Sequence, residues 1–322
     1  MAEQIKAVPT LGEVAAYQLT DITKVAPQFG SITPRWLPRL LEWKPVEAGT
    51  FRRNRVKEGD TPLDALCAQG AHADDKSIPE GFVDYEEKPR EYVLHSITTV
   101  INVNTRVSDL YSNPYDQIKE QLRLAIEAVK ERQESQLINN DDYGLLNNIV
   151  DSQRIQTRHG SPTPDDLDEL ISKVWKEPSF FFAHPRAIAA FGRECTRRGV
   201  PPATISLFGS QFLTWRGIPL VPSEPLFVDG LRKPKSQAGK TNILLIRSGE
   251  KKQGVIGLYQ ATLPGQQTRG LSVRFMGIDK FGIASYLISL YCSASILTDD
   301  AIAVLEDVEV GNYYADYKYD YK

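Results

Sequence analysis

Groups able to do chemistry are few and scattered in this sequence. Ala238-Gly239-Lys240-Thr241 has the ending of a phosphate-cradling loop, in which backbone N–H groups and a lysine hold a nucleotide's phosphates. The rest of that loop is missing. The first required glycine would fall at Pro234, and Lys240-Thr241 runs into the strand-like NILLIR where a phosphate needs a helix N-terminus. His72, His95, His159 and His184 are widely separated, and none has a second ligand at metal spacing. Cys67, Cys195 and Cys292 are odd in number and far apart, with neither metal spacing nor a paired framework, which fits a reducing compartment. Cys195 stands in a helical stretch among Arg193, Arg197 and Arg198, where positive charge lowers a thiol pKa. Asp165 and Asp166 invite an acid/base reading, but after Thr163-Pro164 they read as the opening of a helix. Gly209-Ser210 lacks the glycines of a nucleophile elbow. No pair of titratable residues takes acid and base roles, so no catalytic residue, cofactor site or metal site is assigned. The expectation is a protein that is not an enzyme.

Composition sets wider bounds. With 322 residues, 41% hydrophobic and 25% charged, the chain is an ordinary globular one with room for two domains or one large one. A formal net charge of −3 gives no reason to expect nucleic acid as a partner. MAEQIKAVPT has neither the basic start nor the apolar core of a secretory signal, which points to the cytoplasm. The most apolar run, Ile283–Leu297, is shorter than the ~20 residues of a membrane span and is interrupted by Ser285, Ser289, Ser293 and Ser295.

The elements hang around one long helical signal, Asn113–Ile138. Asn113 caps it, Pro114 sits where its missing N–H is harmless, and Asp116 answers the exposed backbone donors. Ile118, Leu122, Ala125 and Val129 recur at spacings of four and three, widened by Leu124 and Ile126, so one face needs a partner. Ahead of it, a short helix at Leu11–Ile22 is followed by Pro27, Pro34, Pro38 and Pro45 with Trp36 and Trp43 between them. Such a segment predicts an irregular arm whose Trp36, Leu40, Leu41 and Trp43 dock on a neighbouring subunit. Strand signals at Phe51–Val56 and Glu91–Val107 enclose a long polar run and predict a projecting β-arm. Beyond the spine, helices are expected from Thr163 through Trp175 and over Pro185–Arg198, the latter stopped by Gly199 and Pro201-Pro202. Strands are expected over Phe212–Val221, Asn242–Arg247, Gly254–Gln260 and Leu271–Gly277. In Ile283–Leu297 the apolar residues share one parity and serines the other, which predicts one long strand. A capped turn at Thr298-Asp299-Asp300 leads into Ala301–Val310, and YYADYKYDYK ends the chain as a low-complexity tail.

This order of arm, projecting loop, spine helix and β-rich region resembles the α+β capsid fold of the Hong Kong 97 type. The blocks ITPRWLPRLLEWKPVEAG, VDYEEKPREY, NTRVSDLYSNPYDQIKEQLRLAIE, TPDDLDELISKVWKEPSFF, LSVRFMGI and LTDDAIAVLEDV are similar to the family 2 encapsulins, formerly called major membrane protein I, from about Leu11 to Val310. No stretch has the length of the cyclic-nucleotide-binding domain found in one branch, so the chain resembles the branch without it. Departures are the lengthened loop Asp229–Gly239 and the tyrosine-rich tail.

The resemblance implies a bacterial nanocompartment of sixty copies that close around a cargo enzyme, usually a pyridoxal-phosphate-dependent cysteine desulfurase, with a role in sulfur metabolism or storage. It implies an N-terminal arm over 1–50, an extended β-loop over 51–107 and a peripheral domain with the spine over 108–198. A mainly axial domain follows over 199–277, then returning peripheral strands over 278–310 and a tail over 311–322. Gly199, Val200, Pro201, Pro202, Ala203 and Thr204 are the candidate five-fold pore. No cofactor of its own and no cargo-docking residue is assigned. A major capsid protein of a tailed phage, packaging DNA, is the rival, since fold does not fix function. The absence of a scaffolding segment ahead of the arm and the whole-chain wording favour the shell.

Overall fold

A computed structural model describes residues 35–54, 85–104, 117–229 and 239–311. The expected helix Leu11–Ile22, the cap at Asn113, Pro114 and Asp116, Cys67, His72, most of the Asp229–Gly239 loop and the tail lie outside these residues. Four helices are described: α1 (Leu37–Leu40), α2 (Gln117–Asn139), α3 (Pro164–Lys173) and α4 (Pro185–Arg197).

The spine α2 lays Leu122, Ala125, Ile126 and Val129 against Ile97, Ile101, Ile288 and Leu290 of a sheet, which is the face its spacing predicts. That sheet runs β1 (Glu42–Val46), β11 (Val255–Gln260), β14 (Ile283–Ile296), β13 (Leu271–Ile278) and β12 (Gln266–Thr268). β4 (His95–Asn104) pairs along the opposite edge of β14, because Ile288 faces both Val273 and Thr99. The long strand is therefore present, and most of its serine face is covered. Ser289, Ser293 and Ser295 are buried, in part because a two-stranded ribbon of β2 (Thr50–Arg53) and β3 (Arg90–Val93) packs over this end of the sheet. Tyr92 of that ribbon donates its hydroxyl to the Ile296 carbonyl at 2.8 Å. The expected return strand Glu91–Val107 thus splits at Leu94: its first part closes the ribbon and its second joins the spine's sheet.

The second sheet has the order β5 (Arg154–Gln156), β15 (Ile302–Glu309), β10 (Lys240–Ile246), β6 (Phe180–Ala183), β9 (Ile218–Pro222), β8 (Ser210–Trp215) and β7 (Ala203–Leu207). Its central strands are apolar throughout because both faces are covered. Phe181, Leu245 and Leu305 meet Leu167, Leu170, Phe191 and Cys195 of α3 and α4. Phe180, Phe182, Leu244 and Ile246 face the other way, into a cluster shared with Leu137 and Ile138 of the spine and Ala294 and Ile296 of the first sheet. The expected strand Phe212–Val221 is two strands, reversed at Arg216-Gly217, where φ is 51° and 83°. Asp168 of α3 pins that turn, accepting from Trp215 Nε1 at 2.6 Å and Arg216 Nη2 at 2.9 Å. α3 stops at Lys173, and Trp175 beyond it is exposed. Segments sort between the sheets by pairing and not by sequence order: 154–197 and 302–309 join 203–246, whereas 255–278 join the spine.

The chain crosses between sheets at 247–254 and returns at 297–301. There Arg247, 1% exposed, donates from Nη2 to Asp300 Oδ1 at 2.7 Å and to Thr298 Oγ1 at 2.8 Å. Its backbone N–H donates to the Ala301 carbonyl at 2.8 Å. Thr298 is accordingly no helix cap, and Asp299–Ala301 form a short 3-10 turn. Burial by itself raises the Asp300 carboxyl, but hydrogen bonds from Arg247, Thr298 and Lys176 outweigh it and hold the group well below the carboxylate range.

The proline-rich segment is regular, contrary to expectation. Pro38 occupies the first turn of α1, where no N–H is needed, and Pro45 lies on the outermost strand β1. Leu37 donates its N–H to Glu134 Oε1 of the spine at 3.1 Å, and Arg35 pairs with Glu127. Glu134 is fully buried, and its Oε2 has no partner among the described residues. Burial raises its carboxyl to about 7, against the opposing pull of the Leu37 N–H and Arg35.

Two stability measurements follow from these pairs. R247A leaves the cluster at the crossing without its cation and is expected to cost about 3–5 kcal/mol in chemical denaturation of the subunit. The Asp300 contribution, coming from a depressed pKa, is present above the ordinary carboxylate range and fades as pH falls through its lower folded value. Glu134 has the opposite sign: its contribution is complete below 4.5 and lost as pH rises through about 7. Melting curves of wild type and E134Q should therefore diverge by roughly 3 kcal/mol in the variant's favour between acid and mildly alkaline pH; parallel curves would exclude the raised pKa of Glu134.

Candidate assembly surfaces

Gly199 ends α4 in the left-handed region, with φ of 72°. Its N–H donates to the Thr196 carbonyl at 3.1 Å and the Val200 N–H to the Cys195 carbonyl at 3.0 Å, the paired pattern that closes a helix on a glycine. Val200, Pro201 and Pro202 then form the connector. Ala203 and Thr204, read from sequence as part of the same loop, already belong to β7, paired with Thr214 and Leu213. Gly199, Val200, Pro201, Ala203 and Thr204 are exposed and Pro202 is half-buried, so the six residues form one continuous, uncharged surface at the end of the second sheet. β7 is the outermost strand there, and Ile205 and Phe208 extend its exposed apolar character.

Trp36, Leu40, Leu41 and Trp43 lie in a different place from the one expected. Trp36 and Leu41 are buried in their own chain, and Leu40 and Trp43 pack on the same cluster. Trp36 meets Phe212 edge-on at 5.2 Å between centroids and Phe208 at 6.0 Å. Trp43 donates its indole N–H to the Pro38 carbonyl at 2.7 Å. Its ring lies on Gly257, directly across from it in β11, where an added Cβ would come within 2.7 Å of the indole. The sequence reading erred because aromatics between prolines look unpartnered when their partners are more than 150 residues away. The same junction forms a half-open, mostly apolar pocket of about 450 Å³, lined among others by Trp36, Leu40, Phe180, Phe208 and Phe212. No spacing within one element announces it, since four separate stretches supply its walls.

The groups with chemical potential have local tasks. Burial pushes the Cys195 thiol up to about 12, reinforced by Glu194, and Arg198 does not reverse it. Glu194 itself engages Arg197 and Arg198, so the arginine cluster is answered within its helix. Cys292 is pushed to about 12 by burial. His184 accepts the Arg186 N–H at the start of α4, at 3.1 Å, and burial lowers its pKa. His95 stacks on Tyr143 at 4.4 Å, and His159 is exposed. Asp166 completes a capping box with Thr163 and takes Arg158 at 3.2 Å. Lys240 opens β10 and reaches Asp307 at 3.2 Å. Among the described residues no helix is long and apolar enough to cross a membrane.

A family model described as type 2A encapsulin shell protein, SrpI-like, matches residues 51–312. The type 2A encapsulin shell protein SrpI of Synechococcus elongatus is 60% identical over 309 residues, covering 96% of this chain and 97% of the relative. A cryo-electron-microscopy structure of the holo-SrpI encapsulin complex from the same species superposes with a TM-score of 0.81 at 58% identity, covering 97% of this chain and all of that one. The capsid of a native GTA particle superposes with a TM-score of 0.58 at 12% identity, covering 92% of this chain and 99% of the other, a likeness of fold alone. With an α+β fold of the Hong Kong 97 type and a match along nearly its whole length, the chain belongs to the type 2A encapsulin shell protein family.

Proposed function

We propose that this chain is the structural subunit of a closed icosahedral compartment of about sixty copies in the cytoplasm, with confinement and not catalysis as its contribution. The observation that carries this reading is the near full-length match to a shell protein at 60% identity. The titratable groups fit it, since the buried thiols, His184 and Asp166 are engaged in packing and capping. In such a shell we take the second sheet with α3 and α4 as the axial part and the spine with the first sheet as the peripheral part, a division that moves 154–198 and 302–309 out of the peripheral domain expected from sequence and 255–277 into it. The surface Gly199–Thr204 then rims a pore at the five-fold axis, where an uncharged rim selects by size more than by sign.

The cargo we propose is a pyridoxal-phosphate-dependent cysteine desulfurase, which would give the compartment a role in sulfur metabolism or storage. This finer assignment rests on resemblance to the branch without a cyclic-nucleotide domain. A weak docking segment suffices for loading, because identical sites on many copies raise its effective concentration. The rival reading, a coat that packages DNA, shares the fold and differs in contents.

Light scattering of the purified protein should give a particle of about sixty subunits with protein-like ultraviolet absorbance. Monomers would overturn the shell, and a nucleic-acid spectrum would favour the coat. Co-expression with a desulfurase encoded beside it should yield particles carrying bound pyridoxal phosphate. Shells that leave the desulfurase free in solution would defeat the cargo assignment and leave the shell reading intact.

A further inference from the structure

The single turn α1 has few polar ties to the elements beneath it. Its own N–H groups are used internally: Arg39 and Leu40 donate to the Trp36 carbonyl, each at 3.0 Å, and Leu41 to the Leu37 carbonyl at 3.1 Å. Beyond the adjoining β1, the Leu37 N–H donates to Glu134 Oε1 of the spine at 3.1 Å, and the Leu40 carbonyl accepts the Ser248 hydroxyl at 3.0 Å. A helix of four residues does not persist alone in water, so α1 keeps its shape only while it is seated on those partners. What lies under it is apolar on one side and acidic on the other. Trp36, Leu40 and Leu41 form one wall of the half-open pocket whose opposite wall holds Phe180, Phe212 and Val221. On the spine side lies Glu134, fully buried, with Oε2 unpartnered among the described residues. A buried carboxylate is tolerated when both oxygens accept hydrogen bonds, and here one has none, so this seat resists the charged form.

We propose that Glu134 is a proton-controlled catch on α1: while it keeps its proton the turn stays seated, and once the proton leaves to solvent the turn lifts away from the spine more often and opens the pocket. Lifting gives up the Leu37 N–H and the nearby Arg35, both of which favour the charged form, but it lets water reach both carboxylate oxygens. Burial is the larger of these opposing influences and raises the carboxyl to about 7. The charged groups that act on Glu134 are Arg35 ahead of the turn, which is shared with Glu127, and Glu131 on the spine itself; among the described residues neither sheet supplies one. The sign follows from the raised value: the preference for the seated turn is complete below 4.5 and lost as pH rises through about 7. Lifting is a local opening, in which Phe180 and Phe212, 3% and 5% exposed in the seated form, come into contact with water while the two sheets stay folded.

The test is amide hydrogen exchange on the full chain, corrected for the intrinsic effect of pH on exchange. The amides of Leu37, Arg39, Leu40 and Leu41 should exchange about a hundredfold or more faster than those of β10 and β15, because the turn opens without the sheets. Between about pH 6 and 8 their protection in the wild type should fall about tenfold, as linkage to a carboxyl raised from 4.5 to about 7 requires. E134Q cannot ionise and should show no such fall. R35Q removes a cation that favours the charged form and should carry the fall to higher pH, which keeps the test decisive where E134Q does not fold. Turn amides that exchange no faster than β10 and β15 would overturn the proposal, since the turn would then open only with the whole subunit. So would protection at the turn that does not change with pH, a fall that persists in E134Q, or an R35Q profile that superposes on the wild type.

Discussion

Two sheets built from interleaved stretches of one chain must be held at a fixed angle, and the contact that does this is the Arg247 cluster. Arg247 sits on the outgoing connection and Asp300 on the returning one, so a single ion pair ties both crossings. A buried guanidinium is costly to desolvate, and here part of the cost is offset by four acceptors around it, the Asp300 carboxylate oxygens, the Thr298 hydroxyl and the Lys176 carbonyl, while Nε has no partner among the described residues. A hydrophobic replacement would fill the volume but would no longer specify which connection faces which. In a subunit that must match identical neighbours on several sides, angular precision matters more than added stability.

Around that joint, the segment from Arg35 to Val46 works as a strap. It touches the spine through Glu134, the second sheet through Trp36, and the first sheet through Trp43 and the parallel pairing of β1 with β11. Each contact lies on a different element, so the strap resists relative motion of the three. Glu134 makes the packed state sensitive to pH, since burial opposes charging its carboxyl even though the strap's Leu37 N–H and Arg35 favour the charged form.

The parts visible in the sequence were those whose signals are local. The spine's periodicity, the Thr163 box, the Gly199 stop and the parity of β14 depend on neighbours within a few residues, and each has its expected form. What could not be read depends on distant partners. Trp36 and Leu41 looked available to a neighbour because Phe212 and the spine lie far along the chain. What covers the serine face of β14 could not be read either, because the β2–β3 ribbon that packs over it is remote in sequence. The turn at Arg216-Gly217 was missed because Arg216 is an unusual residue at positive φ, made tolerable by its grip on Asp168. Cys195 was misjudged because counting nearby arginines ignores the carboxylate already holding two of them.

Pro45 has a consequence for how such a protein behaves at high concentration. Among the described residues it stands on the outermost strand of the first sheet, exposed, with no N–H to offer. A strand arriving from another molecule finds its ladder interrupted at that point, so β1 is a poor seed for open-ended strand addition. A subunit of this kind is thereby steered away from fibres, and growth is left to contacts whose geometry closes on itself.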